Sequence, residues 1–431
     1  VFTHAMGKGA GSASLTRAQV QRDPNLAVVG DSVYDVGRFR KVHPGGEVFV
    51  SLFGGRDATE VFTTYHRRSF PVERMKEYRV AALNDSAPIA EDAQHLELGK
   101  IVGQLLGKSG GFAPWWYFVK VFVLLAGAIV TEAYQLLHGR SLFASVLQGY
   151  IFALIGLNVQ HDANHGAVSR SGFINRFFGL SQDWLGGSSI LWLQEHVVMH
   201  HPHCNNVEED PDVNGAPLLR MNRKTERRGW HTLQHFYILP LELLYGLNPT
   251  LVQCADLFRM KFRTEHISPL AKSFWQTSVI CKVVFLIRFF VIPLVLYPSW
   301  HTAGLLFVTT AVAGGYLSFF FALSHNYEGV EYLKEGSVGP KNPLAPTATF
   351  VERQARTSSN VGGAILGFMN GGLNYQIEHH LFPRIHHSHY PKIAPAVKAF
   401  CEKNNIRYTH FPTVFHNLRS MLVHLHALGN H

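Results

Sequence analysis

The sequence predicts two units in series: a small soluble α+β domain, then an all-α membrane domain with four transmembrane helices and a cytosolic helical cap. Three observations carry this reading. Short strand-like runs surround a turn near the start, four long apolar runs lie further on, and histidine clusters sit just outside those runs. The clusters are His161-Asp162-Ala163-Asn164-His165, His196-Val197-Val198-Met199-His200-His201 and Gln376-Ile377-Glu378-His379-His380. Imidazoles crowd in this way when they share metal ions. At the edge of a bilayer they point to a metal centre built for a lipid substrate.

The first unit covers residues 18–83. Leu26–Val29 and Val33–Val36 read as short strands around Gly30-Asp31-Ser32, with short helices after them. Residues 1–17 read as a disordered N-terminus, with no apolar run of the kind that marks a secretory signal. Residues 84–112 read as a linker, polar through Asn84-Asp85-Ser86-Ala87-Pro88 and beyond.

The second unit covers residues 113–431. A helix needs about 20 apolar residues to cross roughly 30 Å of hydrocarbon. Phe118–Leu137, Leu142–Asn158, Val279–Tyr297 and Ala303–Leu323 meet or approach that length, the second being short. Arg288 sits awkwardly in the third span. A mid-bilayer arginine costs about 2.5–3.5 kcal/mol on insertion scales, so it is expected to face other helices or snorkel. Phe173–Leu193 mixes apolar residues with Asn175, Arg176, Gln182 and Asp183, which suits an interfacial segment.

Two spans precede the first two clusters and two more precede the third, so parity puts all three clusters on one face. The basic stretch from Arg220 to Arg263 shares that face, and basic loops favour the cytosol. Net charge is +9 and charged residues are 16% of the chain, against about 25% in a soluble protein. Because the basic residues flank apolar spans, the charge favours a membrane surface over nucleic acid. Cys204, Cys254, Cys281 and Cys401 form no paired framework, which fits a reducing compartment.

The small unit contains His43-Pro44-Gly45-Gly46, and His66 follows at the end of Asp57-Ala58-Thr59-Glu60-Val61-Phe62-Thr63-Thr64-Tyr65-His66. The proline and glycines make a tight turn that lets backbone approach a flat cofactor. Two imidazoles can fill both axial positions of a haem iron, which then carries electrons and does not bind oxygen. The alternative is a surface turn with an unrelated histidine. The His-Pro-Gly-Gly turn, the Gly54-Gly55-Arg56-Asp57-Ala58-Thr59 run and the later His66 together resemble the cytochrome b5 family. That resemblance implies haem b held by His43 and His66.

On a helix, His161 and His165 share a face at i and i+4, as do His196 and His200. His201 adds a neighbouring donor, and His379 and His380 are adjacent. So many histidines exceed what one ion uses, which points to two. Imidazole suits iron, zinc, copper or nickel. Iron follows from the haem unit, because an electron carrier needs a redox partner and zinc is not redox-active. His325, just after the fourth span, is a further candidate ligand. His203, His386, His387 and His389 lack helical partners and rank lower.

These residues carry a second resemblance. The clusters, in this order and spacing around four spans, resemble the histidine boxes of membrane fatty acid desaturases. The fused haem unit, with Gln376 where most desaturases carry the first histidine of the third box, is similar to the front-end desaturases. Leu157–His165, Trp192–His196 and Gly371–Pro383 look like microalgal enzymes acting on long-chain polyunsaturated acyl groups, those introducing a Δ4 bond first and Δ5 next.

The resemblance implies two non-haem irons and O2 as co-substrate, with His161, His165, His196, His200, His201, His325, His379 and His380 as ligands. Gln376 is expected to tune one iron or shape the acyl channel. The implied partners are an acyl-lipid or acyl-CoA substrate, an NADH-dependent cytochrome b5 reductase and membrane lipid, with no nucleic acid. The implied setting is the endoplasmic reticulum membrane, with termini and metal site facing the cytosol. The favoured reaction is Δ4 desaturation of C22 chains. Alternatives are Δ5, Δ6 or Δ8 desaturation of C18–C20 chains, or desaturation of sphingolipid bases. A haem-bearing transporter would need ionisable residues deep in the spans, and Ala303–Leu323 has none.

Overall fold

A computed structural model describes residues 14–66, 75–85, 92–333 and 348–430. The small unit is built on a four-stranded sheet: β1 Ser14–Leu15, β2 Leu26–Val29, β3 Ser32–Asp35 and β4 Arg79–Leu83, in the order β1-β4-β3-β2. β2 and β3 form a hairpin with Val29 opposite Ser32, and β1 runs parallel to β4. Val28, Val33, Ala81 and Leu83 fill a small core on one face. Of the N-terminus expected to be disordered, residues 1–13 lie outside the described residues. The rest is ordered, because Ser14 and Leu15 pair with Ala82 and Leu83 and Thr16 caps the helix Arg17–Gln21.

The presumed linker is also corrected in part. Residues 86–91 lie outside the described residues, but Ala93–Leu106 is a helix. Leu98, Val102 and Leu106 recur at i+4 and are buried against Ile377, Leu381, Ile393 and Val397 of the C-terminal part. The polar prelude masks this apolar stripe in the sequence.

Among the described residues, four helices are long and apolar enough to cross a membrane: Trp115–His138, Leu142–Asn164, Pro269–Leu296 and Trp300–His325. The second is not short. Its helix continues through a π-turn at Gly156–Gln160 to reach 23 residues, roughly 34 Å at 1.5 Å per residue. His161 is therefore inside this helix, and His325 is the last residue of the fourth. Phe122, Phe143 and Val295 are 72%, 79% and 72% exposed on the outside of the bundle, as lipid-facing side chains would be. Arg288 is accommodated internally: it ion-pairs with Glu132 of the first span and donates to the Trp184 carbonyl oxygen. The segment from Gly172 to Trp192 breaks into short helices, with Phe173 and Phe177 exposed.

The small unit is docked on the cap. Val48, Leu52, Phe53 and Tyr65 share one apolar cluster with Leu191, Val197, Leu257 and Phe262. Around it, Arg353 pairs with Glu60 at 2.9 Å and Arg40 donates to the Leu270 carbonyl at 3.1 Å. Burial of both unlike surfaces fixes the orientation of one unit on the other.

Candidate metal centre

His43 ends a short helical turn, and Gly46, at φ +103°, turns the chain directly into the helix Glu47–Leu52. That conformation suits glycine, which has no Cβ to clash. The turn brings the Gly46 carbonyl to 2.9 Å from His43 Nδ1, which donates to it. His66 Nδ1–H donates to the Phe62 carbonyl at 2.7 Å. A carbonyl only accepts, so each ring carries its proton on Nδ1 and offers Nε2 to a metal. The ring centroids are 6.1 Å apart and the planes cross at 70°. Two rings bonded to one iron at about 2 Å on each side need nearly that separation. Burial lowers the pKa of both, His66 to about 4, so both stay neutral, as ligands must.

The histidine clusters meet in one buried core. Ligand atoms of His161, His165, His196 and His379 lie within 4.8 Å of one another, and so do those of His200, Cys204, His325 and His380. All eight of these side chains are buried. Gly371, at φ +61°, makes the meeting possible: a Cβ there would stand 2.1 Å from the Leu157 carbonyl oxygen. The loop before the third cluster thus lies directly on the second span, one turn ahead of His161.

The second cluster departs from the expected geometry. Leu193–His200 is a π-helix, whose hydrogen bonds run i to i+5. His196 consequently faces His201, with Nε2 atoms 3.2 Å apart, and His200 turns toward the other set. His201 Nε2 also lies 3.1 Å from His379 Nε2, so it stands between the sets. Donors around a tetrahedral ion at 2.0–2.1 Å are separated by roughly 3.3 Å, so these contacts match nitrogens sharing an ion.

Partners outside the core fix the tautomers. His200 Nδ1–H donates to Asp210, His380 Nδ1–H to Gln354 Oε1 at 2.9 Å and His325 Nδ1–H to the Thr357 carbonyl at 3.0 Å. Their Nε2 lone pairs therefore point inward. Tyr390 and Tyr65 hydroxyls lie 3.1 Å and 2.7 Å from Nδ1 of His379 and His165. Nε2 of His161 and of His165 is buried without a hydrogen-bond partner. Such orphaned acceptors are costly in a folded core unless something binds them. The donor set therefore fits metal ions.

Electrostatics agree. Burial, then the neighbouring imidazoles, hold His165, His196, His201, His379 and His380 well below the usual imidazole pKa, so they are neutral donors. Burial also lowers His200, but Asp210 and Asp212 outweigh it and lift it to about 9, so at neutral pH a metal ion must displace the Nε2 proton of this ring. A ring backed by carboxylates in this way is a more basic ligand.

Gln376 lies among the second set. Its Nε2 is 3.0 Å from His325 Nε2 and 3.2 Å from His380 Nε2, so the amide donates to both inward lone pairs. Cys204, absent from the expected ligands, is better placed outside. Its sulfur touches His325 Nδ1, the nitrogen already bonded to Thr357, and burial raises the thiol well above its usual pKa. His386 and His387 form a separate buried group with Asp162. His203 pairs with Glu209 near the surface, and His389 Nε2–H donates to the Phe112 carbonyl. Sequence reading missed Tyr65, Asp210, Gln354 and Tyr390, none of which stands at helical spacing from the ring it holds.

Residues 140–412 match the fatty acid desaturase family, and residues 14–84 match the cytochrome b5-like haem/steroid-binding domain. An acyl-lipid (7-3)-desaturase of Diacronema lutheri is 51% identical, covering 97% of this chain and 93% of its own. One from Rebecca salina is 49% identical, covering 97% and 94%. An acyl-lipid (8-3)-desaturase B of Dictyostelium discoideum is 26% identical, covering 95% and 92%.

Proposed function

The chain belongs to the fatty acid desaturases and carries a fused cytochrome b5-like domain, and on that premise we propose that it inserts a Δ4 double bond into C22 polyunsaturated acyl chains. It is a front-end desaturase, an oxidoreductase of acyl lipids. The observation that carries the reading is the buried double set of imidazoles with a haem-type histidine pair docked beside it. The Δ4 position rests on the two half-identical relatives, whose (7-3) designation is of the Δ4 type. The (8-3) relatives stand at lower identity and support Δ5 less.

In this reading residues 18–83 bind haem b through His43 and His66, and residues 113–431 form the desaturase unit. His161, His165, His196 and His379 would hold one iron, and His200, His325 and His380 the other, with His201 as a further donor. Bound iron would supply O2 chemistry there: with two electrons delivered through the haem unit and two protons from solvent, two hydrogens would leave adjacent methylenes and O2 would end as two waters.

The protein's own part is positioning. Asp210, Gln354 and the Thr357 carbonyl keep Nδ1–H of their rings engaged, so each Nε2 stays directed inward. Tyr390 orients His379. With iron on His325 and His380, the Gln376 amide nitrogen loses both acceptors, and its oxygen becomes the atom it can offer. Burial of the whole set excludes bulk water from the reacting region. The proposed partners are an acyl-lipid substrate, with acyl-CoA as the alternative, and an NADH-dependent cytochrome b5 reductase. The proposed setting is the endoplasmic reticulum membrane with the metal site facing the cytosol.

Expression in a host lacking polyunsaturated acids, fed C18, C20 and C22 acids, tests the reading by locating new double bonds. Δ4 product from a C22 acid is expected. Product from a C20 acid alone would replace it with Δ5.

A further inference from the structure

We propose that Tyr65 couples the haem side of the molecule to the metal side, as the residue through which the haem unit holds His165 and passes electrons to it. The inference rests on reading His66 as a haem ligand and His165 as an iron ligand.

Tyr65 is the last residue of the helix Thr59–Tyr65, joined by one peptide bond to His66. Its ring is 9% exposed and packs with Val48, Leu52, Val197 and Val198 at the seam between the units. Its hydroxyl reaches 2.7 Å from His165 Nδ1, and the two rings are stacked with centroids 6.3 Å apart at 30°. His165 Nε2 is buried with no hydrogen-bond partner. For Nε2 to bind iron, the ring must carry its proton on Nδ1, and Nδ1–H then donates to the Tyr65 oxygen. The haem unit therefore supplies the outer partner of a ligand on the other unit. Among the described residues, of the rings with a side-chain partner on Nδ1, His165 alone takes it from a residue before position 84; His200, His379 and His380 take theirs from Asp210, Tyr390 and Gln354.

The same contact completes a continuous route: His66, one peptide unit, the Tyr65 side chain, one hydrogen bond, then His165. In each transfer one electron leaves ferrous haem, which becomes ferric, and one ferric non-haem iron becomes ferrous. Tyr65 gains and loses nothing. Two such transfers, with electrons drawn originally from the proposed NADH-dependent reductase, supply one turnover.

The test is Tyr65→Phe, which keeps the ring in its apolar seat and removes only the oxygen. Haem absorbance, haem midpoint potential and non-haem iron content are measured first, against the unsubstituted protein. Haem is then reduced anaerobically beside ferric iron, without substrate, and its oxidation followed by stopped-flow absorbance. Unchanged haem content and potential, weaker retention of non-haem iron against a chelator, and haem oxidation slowed at least about tenfold per iron bound are expected. Desaturation driven by a small-molecule reductant acting directly on the iron, compared per iron bound, should fall less than desaturation driven through the haem. A haem oxidation rate per iron bound within about twofold of the unsubstituted protein, or equal losses with both electron sources, would overturn the proposal and leave Tyr65 a packing residue. If the unsubstituted protein itself binds no haem or no non-haem iron, the underlying reading of the ligands fails instead.

Discussion

His200 Nδ1 stands 3.1 Å from both carboxylate oxygens of Asp210, in a pair of which neither side chain is more than 1% exposed. Asp210 also accepts from the backbone N–H of Asn205 and of Asp212, so the carboxylate is itself fixed. Partners of this kind typically account for about 10–100-fold in metal affinity. Asp210→Ala should lower iron retained after dialysis against a chelator by that factor, with haem content unchanged. Iron retention equal to the unsubstituted protein would remove Asp210 from the metal centre.

Gln376 donates to two rings that have only inward lone pairs to offer. Gln376→Ala leaves His325 and His380 without that partner and removes an amide from the second set. The expected result is a fall in turnover of about tenfold or more, or a change in the double-bond position, read by mass spectrometry of derivatised products. Full turnover with unchanged regioselectivity would exclude the role.

The proposed haem pair and the proposed metal sets use separate residues. His43→Ala and His66→Ala should each abolish the haem absorbance band and reductase-driven turnover. Non-haem iron should remain, because no residue of the two sets is touched. Loss of both haem and iron in either variant would mean that the sites fold as one.

Gly371 has no room for a side chain, since a Cβ would meet the Leu157 oxygen at 2.1 Å. The left-handed conformation alone costs a non-glycine residue about 1–2 kcal/mol. Gly371→Ala must also push the third cluster off the second span. Lower thermal stability and lower iron content are expected together, by calorimetry and elemental analysis of the same preparation. Unchanged values for both would show that the loop moves freely.

Arg288 and Glu132 form an ion pair between the third and first spans. Removing one partner of a buried pair costs about 3–5 kcal/mol, whereas replacing both is often neutral. Glu132→Gln and Arg288→Met should each sharply reduce folded protein in detergent. The double variant should recover much of the loss. Additive losses would mean that the two residues act apart, for example through the Arg288 bond to Trp184.

The spans were legible because a run of about 20 apolar residues has few other uses. The haem pair was legible because His43 and His66 lie in one short segment with a glycine turn. The histidine sets were legible as a group but not in their division. That division depends on the π-helix at Leu193–His200, which pairs His196 with His201 and sends His200 elsewhere. No periodicity in the sequence announces an i to i+5 turn. Tyr65 was invisible for another reason: it lies 100 residues from His165, and only docking of two units brings them together. The helix Ala93–Leu106 was hidden by its polar flank, although its stripe at Leu98, Val102 and Leu106 was present to be read.

The apolar seam that joins Val48, Leu52 and Phe53 to Val197, Leu257 and Phe262 has a kinetic meaning. A donor tethered and seated against its acceptor does not dilute, and its effective concentration is set by the chain rather than by the membrane's supply. The internal transfer becomes first order. It should run at the same rate at any protein density, and added free cytochrome b5 should neither speed it nor compete with it. Under the proposed function, what the cell can still regulate is the step before, delivery of electrons to the haem unit.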